Sequence, residues 1–144
     1  MTGQEKLRAN AELVIQQLRQ ASGIENFGYN AESVAWVDGF IERQRIRPDY
    51  DQDAINQISQ TLGSFLGECV IACYGGEWQE QEGSWAVAFG NSGNAAFPFN
   101  KVRKHFVNGA GDSVLSWFET IPVIFAQHLR PDTVPQKKPW WKLF

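Results

Sequence analysis

Three stretches in the N-terminal half of the chain place apolar residues at the three- and four-residue spacing of an amphipathic helix. The first opens on Thr2-x-x-Glu5, which has the form of a capping box, and stops at Ser22-Gly23. Pro48 disfavours helical geometry in the residue before it and closes the second stretch. We therefore predict three helices, and the third is the longest and central. Their predicted starts are Thr2, Asn30 and Asp49-x-x-Gln52, and the third ends at Tyr74-Gly75-Gly76.

The pattern changes after Gly76, where large and small residues alternate as they do in β-strands. Trp85, Val87 and Phe89 alternate with alanines, so we expect one buried face, with the alanines suited to close helix packing or to solvent. Turn-forming segments lie on both sides of this strand, at residues 81–84 and 90–94. These features predict a three-stranded antiparallel meander from about Trp78 to Phe97.

Helical spacing returns after the meander. Pro98 suits the first turn of a short, basic fourth helix that ends at Asn108-Gly109. Asp112 or Ser113 can cap a fifth helix, in which Pro122 predicts a kink or a break. The predicted fold class is α+β: N-terminal helices, a small three-stranded antiparallel meander, two C-terminal helices covering one sheet face, and an irregular tail. Residues 1–130 form the single predicted domain, and residues 131–144 form a tail rich in Pro, Lys and Trp.

Length, composition and charge place the chain among ordinary globular domains. The chain has 144 residues, of which 43% are hydrophobic and 20% charged, so it can bury a core without disulfides or metals. The net charge of -3 argues against a general nucleic-acid-binding surface. Cys69 and Cys73 lie four residues apart in a predicted helix, a spacing that suits a disulfide poorly, and this indicates a reducing cytoplasm. We expect a cytoplasmic protein with no secretory signal and no transmembrane segment.

The sequence contains no complete motif for catalysis or cofactor binding. The nearest approach to a nucleophile elbow, Gly90-Asn91-Ser92-Gly93, lacks a residue and lies in a predicted turn. Neither a dinucleotide-binding pattern nor a phosphate-binding loop is present. His105 and His128 have no Ser or Cys beside them, and we expect both to be partly exposed helix residues. We expect no catalytic residue, no cofactor and no metal, with both thiols buried and inert.

Four charged residues form a candidate polar cluster, for which a structural role is the leading interpretation. Glu68 lies beside the apolar stripe of the central helix, where a solvated charge is not expected, so it should be at least half buried and paired. Lys101 and Lys104 of the fourth helix are the predicted partners, with backbone donors as the alternative. Asp38 has a similar edge position, and an ordinary solvated carboxylate is the simpler interpretation of it.

Four segments carry a resemblance to a known family. They are Trp36-x-Asp38-x-x-Ile41-x-Arg43, Leu62-Gly63-x-x-Leu66-Gly67-Glu68 with the following Gly75-Gly76-x-Trp78, and Pro98-Phe99-x-x-Val102-x-Lys104. Together they resemble a family of small uncharacterised bacterial domains of unknown function, over about residues 36–125. The resemblance implies an α+β domain in which a long helix leads into a small antiparallel sheet. It implies no activity and no catalytic residue.

The C-terminal tail contains the candidate partner-binding residues, which are Trp140, Trp141, Lys142 and Phe144. The segment is too short to fold alone but has a large apolar area. We consider three surfaces that it could bind: the protein's own domain, a partner protein or a second copy of the chain, and an anionic membrane surface. The acidic residues of the predicted hairpin would attract its lysines if it folds back.

The sequence supports three competing functions. The leading hypothesis is a non-enzymatic bacterial domain that binds an unknown protein partner, of an accessory or toxin-neutralising type, because catalytic motifs are missing and aromatic residues are abundant. The alternative is a small hydrolase or ligand-binding enzyme that uses Glu68 and Asp38 with basic residues of the fourth helix. Peripheral membrane association through the tail is the third.

Overall fold

The computed structural model describes residues 2–90 and 94–125 and confirms the predicted α+β fold. Five α-helices and a three-stranded antiparallel sheet follow the predicted order along the chain. The helices are α1 (Gly3–Ser22), α2 (Ala31–Arg45), α3 (Gln52–Tyr74), α4 (Pro98–Asn108) and α5 (Val114–Ile124). The strands are β1 (Glu77–Gln81), β2 (Ser84–Ala88) and β3 (Ala95–Ala96), and a 3₁₀ turn over Gly109–Asp112 joins α4 to α5.

Short polar side chains start four of the five helices. The Thr2 hydroxyl accepts a hydrogen bond from the backbone N–H of Glu5, and the Asn30 side chain accepts one from Ser33, as their N-cap positions predict. α3 begins one half-turn later than the sequence suggested, because Asp51 rather than Asp49 accepts the hydrogen bond from Ala54. Ser113 caps α5 in the same way. Local capping signals therefore set where these helices begin.

The sheet is a meander in the strand order β1-β2-β3, as predicted. Glu82 and Gly83 both have positive φ angles and form the two-residue turn between β1 and β2, which suits the twist of a tight hairpin. In the central strand β2, Ala86 and Ala88 are buried like Val87, so of the two environments expected for the alanines the structure shows packing and not solvent. α3 and α4 lie against β2, whereas α5 packs mainly against α2. Of the two C-terminal helices, α4 therefore packs on the sheet beside α3, and α5 packs mainly on α2.

α3 is the central helix, and two of its glycines permit unusually close packing. A Cβ atom added to Gly63 would lie 2.5 Å from Cδ1 of Phe99 on α4, and one added to Gly67 would lie 2.0 Å from Cη2 of Trp78 on β1. Aromatic rings from two different elements thus rest directly on the α3 backbone. Full burial of a Phe side chain stabilises a fold by roughly 1.5–3 kcal/mol, and Trp78, the larger ring, is only 2% exposed. The close approach sets where α4 and the sheet sit along α3.

Candidate functional site

Glu68 is held by β1 and α1 rather than by α4. Its side chain is 11% exposed, which confirms the predicted burial, and the indole Nε1–H of Trp78 donates a hydrogen bond to its Oε2 at 2.6 Å. The Nε of Arg8, on α1, lies 4.0 Å from its Oε1. The prediction of a lysine partner on α4 is wrong for a packing reason. α4 meets α3 one turn earlier, at Gly63, and the ring of Trp78 covers the next turn.

Asp38 anchors the start of α5 and is not the solvated carboxylate that the sequence suggested. Its Oδ2 accepts hydrogen bonds from the hydroxyl of Ser113 and, at 3.0 Å, from the backbone N–H of Leu115. The Ser113 oxygen in turn accepts a hydrogen bond from the backbone N–H of Ser116. A carboxylate at a helix N-terminus also interacts favourably with the helix dipole. Asp38 therefore fixes α5 against α2.

His105 is completely buried, so the expectation of a partly exposed helix residue is wrong. Its Nδ1 accepts a hydrogen bond from the backbone N–H of Val114 at 3.3 Å, which places the ring proton on Nε2. Nε2 lies 2.8 Å from Oε1 of Glu42 and donates to it. Sequence analysis missed this pair. The available signals were the position of His105 on the apolar stripe of α4 and the four-residue spacing of Asp38 and Glu42 on α2.

Glu68, Asp38 and Lys101 of the predicted polar cluster make separate interactions, and Lys104 lines a groove between α4 and α5. Lys101 pairs with Asp112 across the α4–α5 connection, with an Nζ to Oδ1 distance of 3.2 Å. Side-chain hydrogen bonds from Asn108 and then Lys101 hold the pKa of the Asp112 carboxyl below its ordinary value. Since Glu68 and Asp38 contact different elements, the structure does not assemble a joint acidic centre from them. In the described structure, Glu68 connects α3 to β1, and Asp38 connects α2 to the start of α5.

A groove between β3, α4 and α5 is the candidate functional site. We call it the α4–α5 groove; it has a volume of about 290 Å³. Trp117, Ile121 and Ile124 lie four and three residues apart, so they share one face of α5 and form one side of the groove. Lys101 and Lys104, three residues apart on α4, lie on the opposite side. The strand end and the end of α5 complete the lining with Ala95, Ala96, Phe97 and Phe125.

The end of α5 exposes two large aliphatic side chains, and one of them lines the groove. Val123 and Ile124 are each 68% exposed to solvent, and Ile124 is the lining residue. Phe125 follows them, and its ring packs on Phe89 of the core with a centroid separation of 4.8 Å, which fixes the end of the helix. Exposed large apolar residues that adjoin a groove are typical of protein interaction sites. The arrangement can bind apolar side chains, with two lysines beside them.

Among the described residues, the cysteines and acidic side chains form no nucleophile or metal site. Burial raises the pKa of the Cys69 thiol well above its ordinary value, so this sulfur is a poor nucleophile and a poor metal ligand. Within residues 2–90 and 94–125, no group of three or more His, Cys, Asp or Glu side chains is arranged to hold a metal ion. Trp140, Trp141, Lys142 and Phe144, with His128, lie outside the described residues.

Comparisons with known proteins give no match: no family model, no curated protein and no solved structure is significantly similar to this chain. The candidate site is therefore defined by its geometry alone.

Proposed function

We propose that this chain is a non-enzymatic protein-binding domain, and that the α4–α5 groove binds an apolar segment of a partner protein. One observation carries the proposal: the lining of an apolar groove includes Ile124, a large aliphatic side chain that is 68% exposed to solvent. The groove is smaller than most small-molecule pockets, which span roughly 300–1,000 Å³. Its size suits the anchor side chains of a bound segment.

The charge beside the groove favours a partner segment with acidic residues next to its apolar anchors. Lys104 is exposed on the α4 side of the groove, while Lys101, one turn before it, is paired with Asp112. Acidic residues on the partner would add electrostatic steering to the burial of apolar side chains. The chain's own residues 126–144 are the competing occupant, because they follow Phe125 at the end of the groove. Those residues carry three lysines, so the charge of the groove disfavours them.

The proposal does not extend to catalysis. The hydrolase hypothesis depended on Glu68 and Asp38 acting together with basic residues of α4. Each of these carboxylates is held by structural hydrogen bonds to a different element, and neither lines the α4–α5 groove. An accessory or toxin-neutralising role is the form of protein binding that we propose.

A bacterial cytoplasmic location belongs to the same proposal. Both cysteines of the chain are thiols, which supports a reducing compartment. Among the described residues, no helix has both the length and the apolar character needed to cross a membrane. Self-association and contact of the tail with a membrane surface are alternatives that the experiments below distinguish.

The test introduces one charge into the proposed surface and one into a matched surface elsewhere. Ile124→Glu places a carboxylate at the groove, and Leu13→Glu does the same at a 53% exposed position on α1. A partner captured from the native cell is purified, and its affinity for each full-length variant is measured by calorimetry. We expect Ile124→Glu to weaken binding by about tenfold or more and Leu13→Glu to leave it unchanged.

Two outcomes would contradict the proposal. Equal affinities for both glutamate variants would remove the groove from the interaction. Truncation after Arg130 provides the second test, since it deletes Trp140, Trp141, Lys142 and Phe144. If truncation abolishes binding while Ile124→Glu does not, the tail rather than the groove binds the partner.

A further inference from the structure

A second cavity lies beside α4, next to the α4–α5 groove. We call it the hairpin cleft; it has a volume of about 470 Å³. α3 contributes Ser59 and Ser64 to its lining, α1 contributes Lys6, and α4 contributes Arg103, while the β1–β2 hairpin adds Glu80 and Trp85. Four separate elements therefore converge on one cavity. Lys104, next to Arg103 in the chain, lines the α4–α5 groove instead, while Asn100 lines both cavities, so the two cavities are neighbours along α4.

Ser59 gives the hairpin cleft an unused hydrogen-bonding group. It is 1% exposed, and its Oγ has no hydrogen-bond partner among the residues that the structure describes. Ser64, on the same helix, shows the usual alternative, because its hydroxyl donates to the carbonyl oxygen of Gln60 at 3.0 Å. Buried hydroxyl groups normally have a partner. A bound group that reaches α3 would supply one to Ser59.

Two helices each contribute one positively charged residue to the lining of the hairpin cleft. Lys6 and Arg103 are exposed residues on α1 and α4, and with Glu80 as the acidic lining residue the charge is one net positive. α1 also begins here, at Gly3, and its 20-residue length gives its N-terminus a favourable field for an anion. Thr2 uses its hydroxyl and carbonyl oxygens to accept the N–H groups of Glu5 and Lys6. The N–H groups of Gly3 and Gln4, which precede these two, have no acceptor within the helix.

Aromatic rings form the apolar part of the hairpin cleft, and packing holds them in place. A Cβ atom added to Gly3 would lie 2.4 Å from Cζ2 of Trp85, so this indole rests against the start of α1. Trp78 contacts both aromatic lining residues, with centroid separations of 6.5 Å to Trp85 and 5.9 Å to Phe99. Fixed aromatic surfaces bind planar groups at a small entropic cost.

We infer that the hairpin cleft binds a small organic anion that carries a planar ring, with the size of a nucleoside monophosphate. The phosphate or carboxylate group binds between Lys6 and Arg103 near the start of α1. The ring packs on Trp85 and Phe99, and Ser59 donates its hydroxyl hydrogen to a ligand oxygen. Glu80 accepts a hydrogen bond from a hydroxyl or amino group of the ligand. Ligand binding in the hairpin cleft does not require that the α4–α5 groove binds a partner protein.

The test is a titration of the ¹⁵N-labelled full-length chain, followed by NMR. The probes are adenosine 5′-monophosphate and 1-naphthoate, with adenosine and inorganic phosphate as the separate halves of the first. We expect saturable shifts of the Gly3 amide and the Trp85 indole N–H. The intact nucleotide should bind about tenfold more tightly than either half, because ring and anion bind together.

Adjacent residues of α4 provide a matched control for the charge. Arg103→Gln and Lys104→Gln remove one positive charge each, from the hairpin cleft and from the α4–α5 groove. We expect Arg103→Gln to weaken binding about tenfold and Lys104→Gln to leave it unchanged. Ser59→Ala should weaken binding without lowering the melting temperature of the free protein. Equal effects of the two glutamine variants would overturn the inference. It would also be overturned if neither adenosine 5′-monophosphate nor 1-naphthoate bound saturably.

Discussion

Replacing Glu68 with alanine removes the hydrogen-bond acceptor of a buried indole. Trp78 is 2% exposed, and its Nε1–H donates to Glu68 at 2.6 Å. Without the carboxylate, this donor is left buried and unsatisfied, which costs about 1–3 kcal/mol. Arg8 contributes little, because its side chain is 62% exposed and lies 4.0 Å away. We therefore expect Glu68→Ala to lower the free energy of unfolding by about 2–3 kcal/mol.

Three further variants separate the hydrogen bond from the loss of side-chain packing. Glu68→Gln keeps an oxygen acceptor for the indole and should cost only about 1 kcal/mol. Trp78→Phe removes the donor and part of the ring that covers Gly67. If the two groups interact as described, the double variant Glu68→Ala/Trp78→Phe should be less destabilised than the sum of the single variants, by about 1–2 kcal/mol.

Urea denaturation followed by circular dichroism measures all four variants, provided that the slope of the transition stays constant. Glu25→Ala is the control, since it removes an exposed carboxylate from a turn. The reasoning is refuted if Glu68→Ala unfolds at the same urea concentration as the unmodified protein. It is also refuted if the loss of unfolding free energy in the double variant equals the sum of the losses in the two single variants.

Three other variants test separate parts of the fold. Gly67→Ala should cost about 1–3 kcal/mol in urea denaturation, because its Cβ atom would overlap the ring of Trp78, whereas Gly111→Ala, which meets open space, should cost nothing measurable. His105→Leu should lower the unfolding free energy by about 2–4 kcal/mol by the same assay, and an unchanged urea midpoint would contradict the buried hydrogen-bond network. The carboxyl pKa of Asp112 is lowered in the folded protein, so its stabilising effect is present above the ordinary value of 3.8 and is lost as the pH falls through the lower one. Below about pH 4, the melting temperature of Asp112→Asn should therefore depend less on pH than that of the unmodified protein. An equal change of melting temperature with pH in both proteins would contradict this.

The sequence predicted the features that depend on neighbouring residues. The caps at Thr2 and Asn30, the hairpin turn at residues 82–83 and the end of α4 at Asn108 all follow from short-range chemistry. The burial of Glu68 was also predictable, because its position beside an apolar stripe is a local property. Helical and strand periodicity was sufficient to give the α+β class.

Features that depend on contacts between distant elements were not predictable in this way. The partner of Glu68 is set by the crossing of α4 at Gly63, which leaves the next turn of α3 to Trp78. Burial of His105 depends on α2 and α5 closing over α4, and no single segment encodes that. The α4–α5 groove likewise exists only where three elements meet.

Site-specific photo-crosslinking tests the central claim, that the α4–α5 groove binds a partner protein. A photoreactive amino acid is placed at residue 124 of the full-length chain in its native cell, and at residue 13 in a matched strain. The proposal predicts a crosslink from residue 124 to a segment of one partner that contains apolar and acidic residues, and none to that partner from residue 13. A crosslink from residue 124 to the chain's own residues 126–144 alone, or equal crosslinking to the partner from both positions, would contradict it.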